Sequence, residues 1–150
     1  MAIKPVKTEN LTPLQETYRR FWARFNHISS CDDRFVQNFK VHKIASIRYY
    51  QDYSVGKPYQ ICIMISFNKG HASIQAYFSN LVAFDFYLSH RDRIESKIGK
   101  RLVWKEMQTK AYAQLNVNIT HPITDESKWD AVCNDIIPYA ILMKTVFGEL

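Results

Sequence analysis

The sequence has few of the residues that mark fibrous, disordered or disulfide-stabilised chains. Its 150 residues contain four glycines, five prolines and three cysteines, which excludes collagen-like and disulfide-rich classes. No apolar run approaches the roughly 18 residues that a membrane-spanning helix needs, and the first ten residues carry charge but no apolar signal core. We therefore expect a soluble protein that stays in the cytoplasm.

The common catalytic and ligand-binding motifs are also missing. The patterns GxGxxG, GxxxxGK[ST], HExxH and GxSxG do not occur, so the sequence indicates neither a phosphate-binding loop nor a common hydrolase site. The five histidines have no ligand spacing, and Cys31, Cys62 and Cys133 form no CxxC pair. We interpret Cys62 and Cys133 as buried apolar residues. The sequence nominates no catalytic residue, no metal ligand and no cofactor.

The residues that are present predict one α+β domain. Hydrophobic residues make up 47% of the chain and aromatic residues 14%, enough for a substantial core. Apolar periodicity predicts the order helix, three strands, helix, two strands, helix over residues 11–150. A single, mostly antiparallel sheet of about five strands with helices packed on one face would bury all the apolar stripes. Residues 1–10 are polar and are expected to fray.

Local signals place the helix ends. Thr12 and Gln15 form a capping box at the start of the first helix. Residues 30–43 are consistent with either a short helix or a packed loop. A second, continuous helix is predicted from Leu81 to Ile98 with Gly99 at its C-terminal end. Thr124 is predicted to cap the last helix.

Five segments have the composition of strands, and one sheet face is predicted to be polar. The segments are 44–51, 59–67, 71–78, 101–107 and 111–119. Alternation in the third and fifth segments turns Tyr77, Tyr112, Gln114 and Asn116 away from the core. This uncharged face is a candidate interface for a second copy of the chain.

The charge pattern supplies the second candidate site. The net charge is +6, although residues 111–150 carry two basic and five acidic residues. Basic residues near aromatic ones suit nucleic acid, because cations neutralise phosphates and rings stack on bases. Ordinary solubility charge is the competing interpretation. The candidate nucleic-acid-binding residues are Arg91, Arg93, Lys97, Lys100, Arg101, Trp104, Lys105 and Lys110.

The predicted order of the first elements is similar to the core of restriction-endonuclease-like folds. Such enzymes need an Asp on the second core strand and Glu-x-Lys on the third to hold Mg²⁺ and orient water. Here the second strand, 59–67, has no carboxylate, and the third has Gln75 and Tyr77 at those positions. The catalytic residues of that fold are therefore missing.

Two segments carry a resemblance to a known family. The stretches RIESKIGKRLVWKEMQTKAYAQLNV and LTPLQETYRRFWARF, together with Trp129 and Phe147, resemble a bacterial domain of unknown function. Members of that family commonly lie C-terminal to nuclease-like domains in restriction or defence proteins. The resemblance implies a link to nucleic-acid processing or defence, and no catalytic residue is carried over from it.

Three hypotheses follow from the sequence, of which the last, a small-molecule enzyme, is kept only because an active site can be assembled from distant residues without a motif. The first is a non-catalytic accessory or nucleic-acid-binding module of a bacterial nuclease or defence system, with a nuclease as a possible partner. The second is a homodimeric interaction domain that uses the polar sheet face.

Overall fold

The computed structural model describes residues 10–150, so the predicted fraying of residues 1–10 falls almost wholly outside the described residues. The helices are α1 (Pro13–Ser30), α2 (Asp33–Asn38), α3 (Leu81–Leu88), α4 (Arg91–Ile98) and α5 (Trp129–Gly148), with a 3₁₀ turn at Glu126–Lys128. The strands are β1 (Tyr50–Ser54), β2 (Tyr59–Ser66), β3 (His71–Phe78), β4 (Val103–Glu106) and β5 (Ala111–Val117).

The five strands form one antiparallel sheet in the order β1-β2-β3-β5-β4. Hairpins join β1 to β2, β2 to β3 and β4 to β5, and α3 and α4 connect β3 to β4. Because β4 lies at the edge, β5 returns between it and β3. This arrangement confirms the predicted α+β class with a single five-stranded sheet.

The core lies between one face of the sheet and the helices. α5 packs against β2, β3 and β5, and α1, α2 and α4 pack against α5. The segment Glu126–Gly148 is long and apolar enough to span a membrane, but half of its most apolar window is buried inside the domain. Its apolar stripe is explained by this central position between the sheet and the other helices.

The start of α1 and the end of α4 agree with the sequence. Thr12 and Gln15 make both hydrogen bonds of the predicted capping box. Gly99 adopts φ +82° at the end of α4, a left-handed conformation that side chains disfavour. Residues 33–38 form a short helix, which decides between the two interpretations of that region.

The first predicted strand, 44–51, is wrong over most of its length, because β1 begins only at Tyr50. Backbone groups of this segment form hydrogen bonds with side chains instead of with a neighbouring strand. The Trp22 indole donates to the Arg48 carbonyl at 2.8 Å, and the Ser46 amide donates to the Gln51 side chain. Backbone groups held in this way do not pair with β2.

The predicted helix Leu81–Ile98 is two helices. The side chains of Ser89 and His90 both contact the Phe86 carbonyl, at 2.6 and 2.8 Å. Such local bonds compete with the backbone ladder and interrupt the helix without glycine or proline. The predicted cap at Thr124 is also wrong. Asp125 instead accepts the Ser127 amide and caps the 3₁₀ turn before α5.

Candidate functional site on the open sheet face

One face of the sheet carries side chains that point away from the helices, and we call it the open sheet face. Register pairing aligns its residues in rows across the strands. The aromatic row consists of Ser54, Gln60, Tyr77, Tyr112 and Lys105. The amide row consists of Asp52, Cys62, Gln75, Gln114 and Val103. Since neighbouring strands lie about 4.8 Å apart, each row presents its side chains at that spacing.

The aromatic row places two partly exposed rings beside two lysines. Tyr77 and Tyr112 are direct register partners, and Lys105 is the register partner of Tyr112. The Lys110 ammonium lies 6.0 Å from the centre of the Tyr77 ring, within cation–π range. Lys57 lines a surface depression together with Tyr77 and Lys110. Rings and cations therefore meet at one end of the open sheet face.

The amide row is ordered by a chain of hydrogen bonds. The Gln75 amide nitrogen donates to the Gln114 oxygen at 2.8 Å. The Gln114 amide nitrogen in turn donates to the Asn116 side-chain oxygen at 2.9 Å. These bonds fix the orientation of side chains that line the aromatic row. All four predicted interface residues, Tyr77, Tyr112, Gln114 and Asn116, thus lie on one surface.

The predicted basic run is divided by the fold. Lys105 and Lys110 lie at the open sheet face, whereas Arg91, Arg93 and Lys97 lie on α4. Lys97 forms an ion pair with Glu149 at 2.5 Å.

Two further members of the run lie between these groups. Lys100 donates to the Asn116 carbonyl at 3.2 Å and lies 5.2 Å from the centre of the Tyr139 ring. Arg101 is exposed in the connection to β4. The run therefore does not form one continuous surface.

Trp104 is directed toward the helices rather than toward solvent on the open face. Its register partner Ala113 is buried, and its ring lies 6.1 Å from those of Phe84 and Phe147. Its indole donates to the Glu95 carboxylate at 3.1 Å, and the same oxygen accepts the Leu102 amide at 2.7 Å. Glu95 thus joins α4 to β4, so the packing role explains both residues.

We expect Glu95→Ala to lower the free energy of unfolding by about 2 kcal/mol, because two donors lose a charged acceptor. Urea denaturation followed by far-UV circular dichroism measures this change. Ser96→Ala, at the neighbouring exposed position of α4, is the control and should be nearly neutral. Equal stability of the two variants would contradict the joining role of Glu95.

Two of the three cysteines are buried and unreactive. Cys62 and Cys133 are buried free thiols, as predicted. Burial raises the pKa of the Cys133 thiol to about 12, and burial, followed by the neighbouring Asp52 carboxylate, raises the pKa of the Cys62 thiol. Both are therefore neutral thiols at physiological pH. Within residues 10–150, no three His, Cys, Asp or Glu residues cluster closely enough to hold a metal ion.

The residues of the open sheet face lie within a known protein family. The model of the family described as Domain of unknown function (DUF4268) matches residues 17–150. The chain belongs to this family. The DUF4268 match covers all five strands and so the whole open sheet face. It confirms the resemblance to a domain of unknown function. No curated protein and no solved structure matches the chain.

Proposed function

We propose that this DUF4268 domain is a non-catalytic module that binds single-stranded nucleic acid across its open sheet face. The observation that carries the proposal is the register-paired tyrosines, Tyr77 and Tyr112, with Lys105 and Lys110 beside them. Aromatic rings on an antiparallel sheet form a platform on which unpaired bases stack. The aromatic row supplies two such rings next to each other.

The shape of the surface favours a single strand over a duplex. A base can stack on Tyr77 or Tyr112 only when its face is free, and in a duplex both faces are covered by neighbouring bases. The row lies on a sheet face and not on a protruding helix or ribbon that could enter a groove. A splayed strand laid across β3 and β5 satisfies both conditions.

The charges support the same interpretation. Lys105 belongs to the aromatic row, and Lys57 and Lys110 lie beside Tyr77. Asp52 is the only carboxylate among the strand residues of the open sheet face. Cations at this end attract the phosphate backbone while the rings hold bases. Binding is therefore expected to weaken with added salt.

The cellular context of this activity is a proposal from resemblance alone. Similar domains accompany nuclease-like domains in bacterial defence proteins, so we propose an accessory role beside a nuclease in the bacterial cytoplasm. In that role the domain would hold a strand while a partner cuts it. The occurrence of similar domains beside nucleases supports a cellular context and does not by itself give a mechanism.

The alternative occupant of the open sheet face is a second copy of the chain. Its ordered amides could pair with those of a partner. The lysines around the aromatic row argue against that arrangement, because two such surfaces brought face to face repel each other. Sedimentation velocity decides: a dimer that dissociates on Tyr112→Lys would favour the homodimer over the nucleic-acid module.

The test of the proposal is the salt dependence of binding to a fluorescent single-stranded oligonucleotide, measured by anisotropy. Lys105→Ala with Lys110→Ala should reduce the slope of log affinity against log salt by about 1.4, since each phosphate contact on a single strand contributes roughly 0.7. Arg91→Ala with Arg93→Ala removes the same charge from α4 and is the matched control.

The two double variants separate a specific surface from general charge. A smaller slope in the sheet variant alone supports the proposal. Equal slopes in both variants would show that net charge governs binding. No binding by the unmodified protein at low salt would overturn the proposed function.

A further inference from the structure

A cavity of about 250 Å³ opens on the same sheet face, next to the aromatic row. Its walls include Tyr49, Tyr50, Asp52, Gln75 and Tyr77. The volume is below the range of about 300 to 1,000 Å³ that is typical of drug-sized ligands, so it suits one planar ring system. Tyr77 belongs both to this cavity and to the aromatic row.

The Gln75 side chain supplies an acceptor to the cavity. Only 9% of this residue is exposed. Its amide nitrogen is used by Gln114, and Gln114 is in turn held by Asn116. The Gln75 oxygen has no hydrogen-bond donor among residues 10–150. This oxygen is not among the buried side-chain atoms that lack a partner in the described residues, so it is accessible as an acceptor to a ligand or to water.

Asp52 supplies a second and stronger acceptor. It lies across from Cys62 in the register, and in the described part of the chain its carboxylate has no N–H or O–H donor and no ion pair. An ionised carboxylate has two acceptor oxygens and no donor. Asp52 is exposed and lies beside the Cys62 thiol, so its carboxylate can accept hydrogen bonds from a ligand that donates two of them side by side.

Cations flank the cavity on the β1 side. The Arg48 guanidinium donates to the Tyr50 hydroxyl at 3.0 Å. Arg48 and Lys43 line an adjoining depression that shares Tyr50 and Asp52 with the cavity. A phosphate attached to a base in the cavity would have these charges nearby. The surroundings suit a nucleotide within a strand.

We infer that this cavity binds one unpaired guanine of a strand lying across the aromatic row, with Asp52 as the residue that selects it. The inference rests on the proposed function. The Watson–Crick edge of guanine presents N1–H and the 2-amino group next to each other, which matches the two oxygens of a carboxylate. Uracil and thymine present a single N3–H between two carbonyls, so they donate only one hydrogen bond there and place a carbonyl oxygen against the second carboxylate oxygen. In a duplex this edge is already paired.

The experiment compares single-stranded oligonucleotides of equal length by anisotropy: a uridine-only parent, the same strand with one central guanine, and one with inosine at that place. We expect the guanine strand to bind about tenfold more tightly than the parent, the order of discrimination given by a bidentate contact. Inosine lacks the 2-amino group and should lose part of this preference. Asp52→Asn should reduce the ratio of the two affinities, guanine strand over uridine parent measured with the same variant, to less than about twofold.

Asp85→Asn is the matched control, because Asp85 is an exposed carboxylate on α3, and it should keep the full preference. The inosine comparison uses the unmodified protein, so it tests the inference even where Asp52→Asn fails to fold. Equal affinity of the unmodified protein for the guanine and uridine strands would overturn the guanine site and leave the proposed function standing. Absence of binding to every strand would overturn both.

Discussion

Replacing both Tyr77 and Tyr112 by alanine is expected to weaken binding to single-stranded oligonucleotides by about 100-fold or more. Each base stacked on an aromatic ring is worth about 1 to 3 kcal/mol by alanine substitution, and the two rings lie in register on β3 and β5. Both side chains are only partly buried on the open sheet face, so the fold should survive. Anisotropy titration measures the loss, and circular dichroism verifies the fold.

The double phenylalanine variant separates stacking from hydrogen bonding. Phenylalanine keeps the ring and removes the hydroxyl, so Tyr77→Phe with Tyr112→Phe should keep affinity to within about threefold. An alanine variant that binds as tightly as the unmodified protein would exclude the aromatic row as the binding surface. If the phenylalanine variant binds as weakly as the alanine variant, the tyrosines contribute to affinity through hydrogen bonds of their hydroxyls and not through stacking.

Much of the fold follows from local patterns in the sequence. The capping box at Thr12, the left-handed Gly99 and the alternation in β5 each depend on a few neighbouring residues, and the structure confirms all three. The predictions that were wrong concern places where distant or side-chain groups take over backbone hydrogen bonds. Trp22 holding the Arg48 carbonyl is one example, and Ser89 with His90 on the Phe86 carbonyl is another.

The candidate site was only partly accessible to sequence reasoning. Tyr77 and Tyr112 are readable as outward residues because strand alternation is local. Their direct pairing cannot be predicted from local patterns, because it requires β5 to lie beside β3 although α3, α4 and β4 separate the two strands in the chain. Sequence reasoning does not find Asp52, because the predicted first strand, 44–51, ends one residue before it, whereas β1 extends to Ser54. Apolar alternation does not mark it in the sequence, because Gln51, which is buried on one side of it, is polar, and only Tyr53 on the other side is apolar.

Trp22 connects the core to the segment that precedes the cavity wall, so its replacement is expected to lower the stability of the protein strongly. This residue is wholly buried in α1, and its indole is the donor to the Arg48 carbonyl. Trp22→Ala is expected to lower the free energy of unfolding by about 3 to 5 kcal/mol, the usual cost of truncating a buried tryptophan. Urea denaturation of the variant against the unmodified protein measures that loss.

Trp22→Phe distinguishes packing from the hydrogen bond, because it keeps a ring in the core and leaves the Arg48 carbonyl without its donor. We expect a smaller loss of stability, about 1 to 2 kcal/mol, together with faster hydrogen exchange in residues 46–49. Phe25→Leu also replaces a buried ring by a smaller side chain, but it removes no hydrogen bond to this segment. It should therefore leave hydrogen exchange in residues 46–49 unchanged, apart from the increase that any loss of overall stability causes. Because Tyr49, at the end of this segment, and the adjacent Tyr50 belong to the cavity wall, guanine preference should fall in Trp22→Phe and not in Phe25→Leu. Unchanged exchange in both variants would mean that other contacts hold the segment and that the core does not position the cavity.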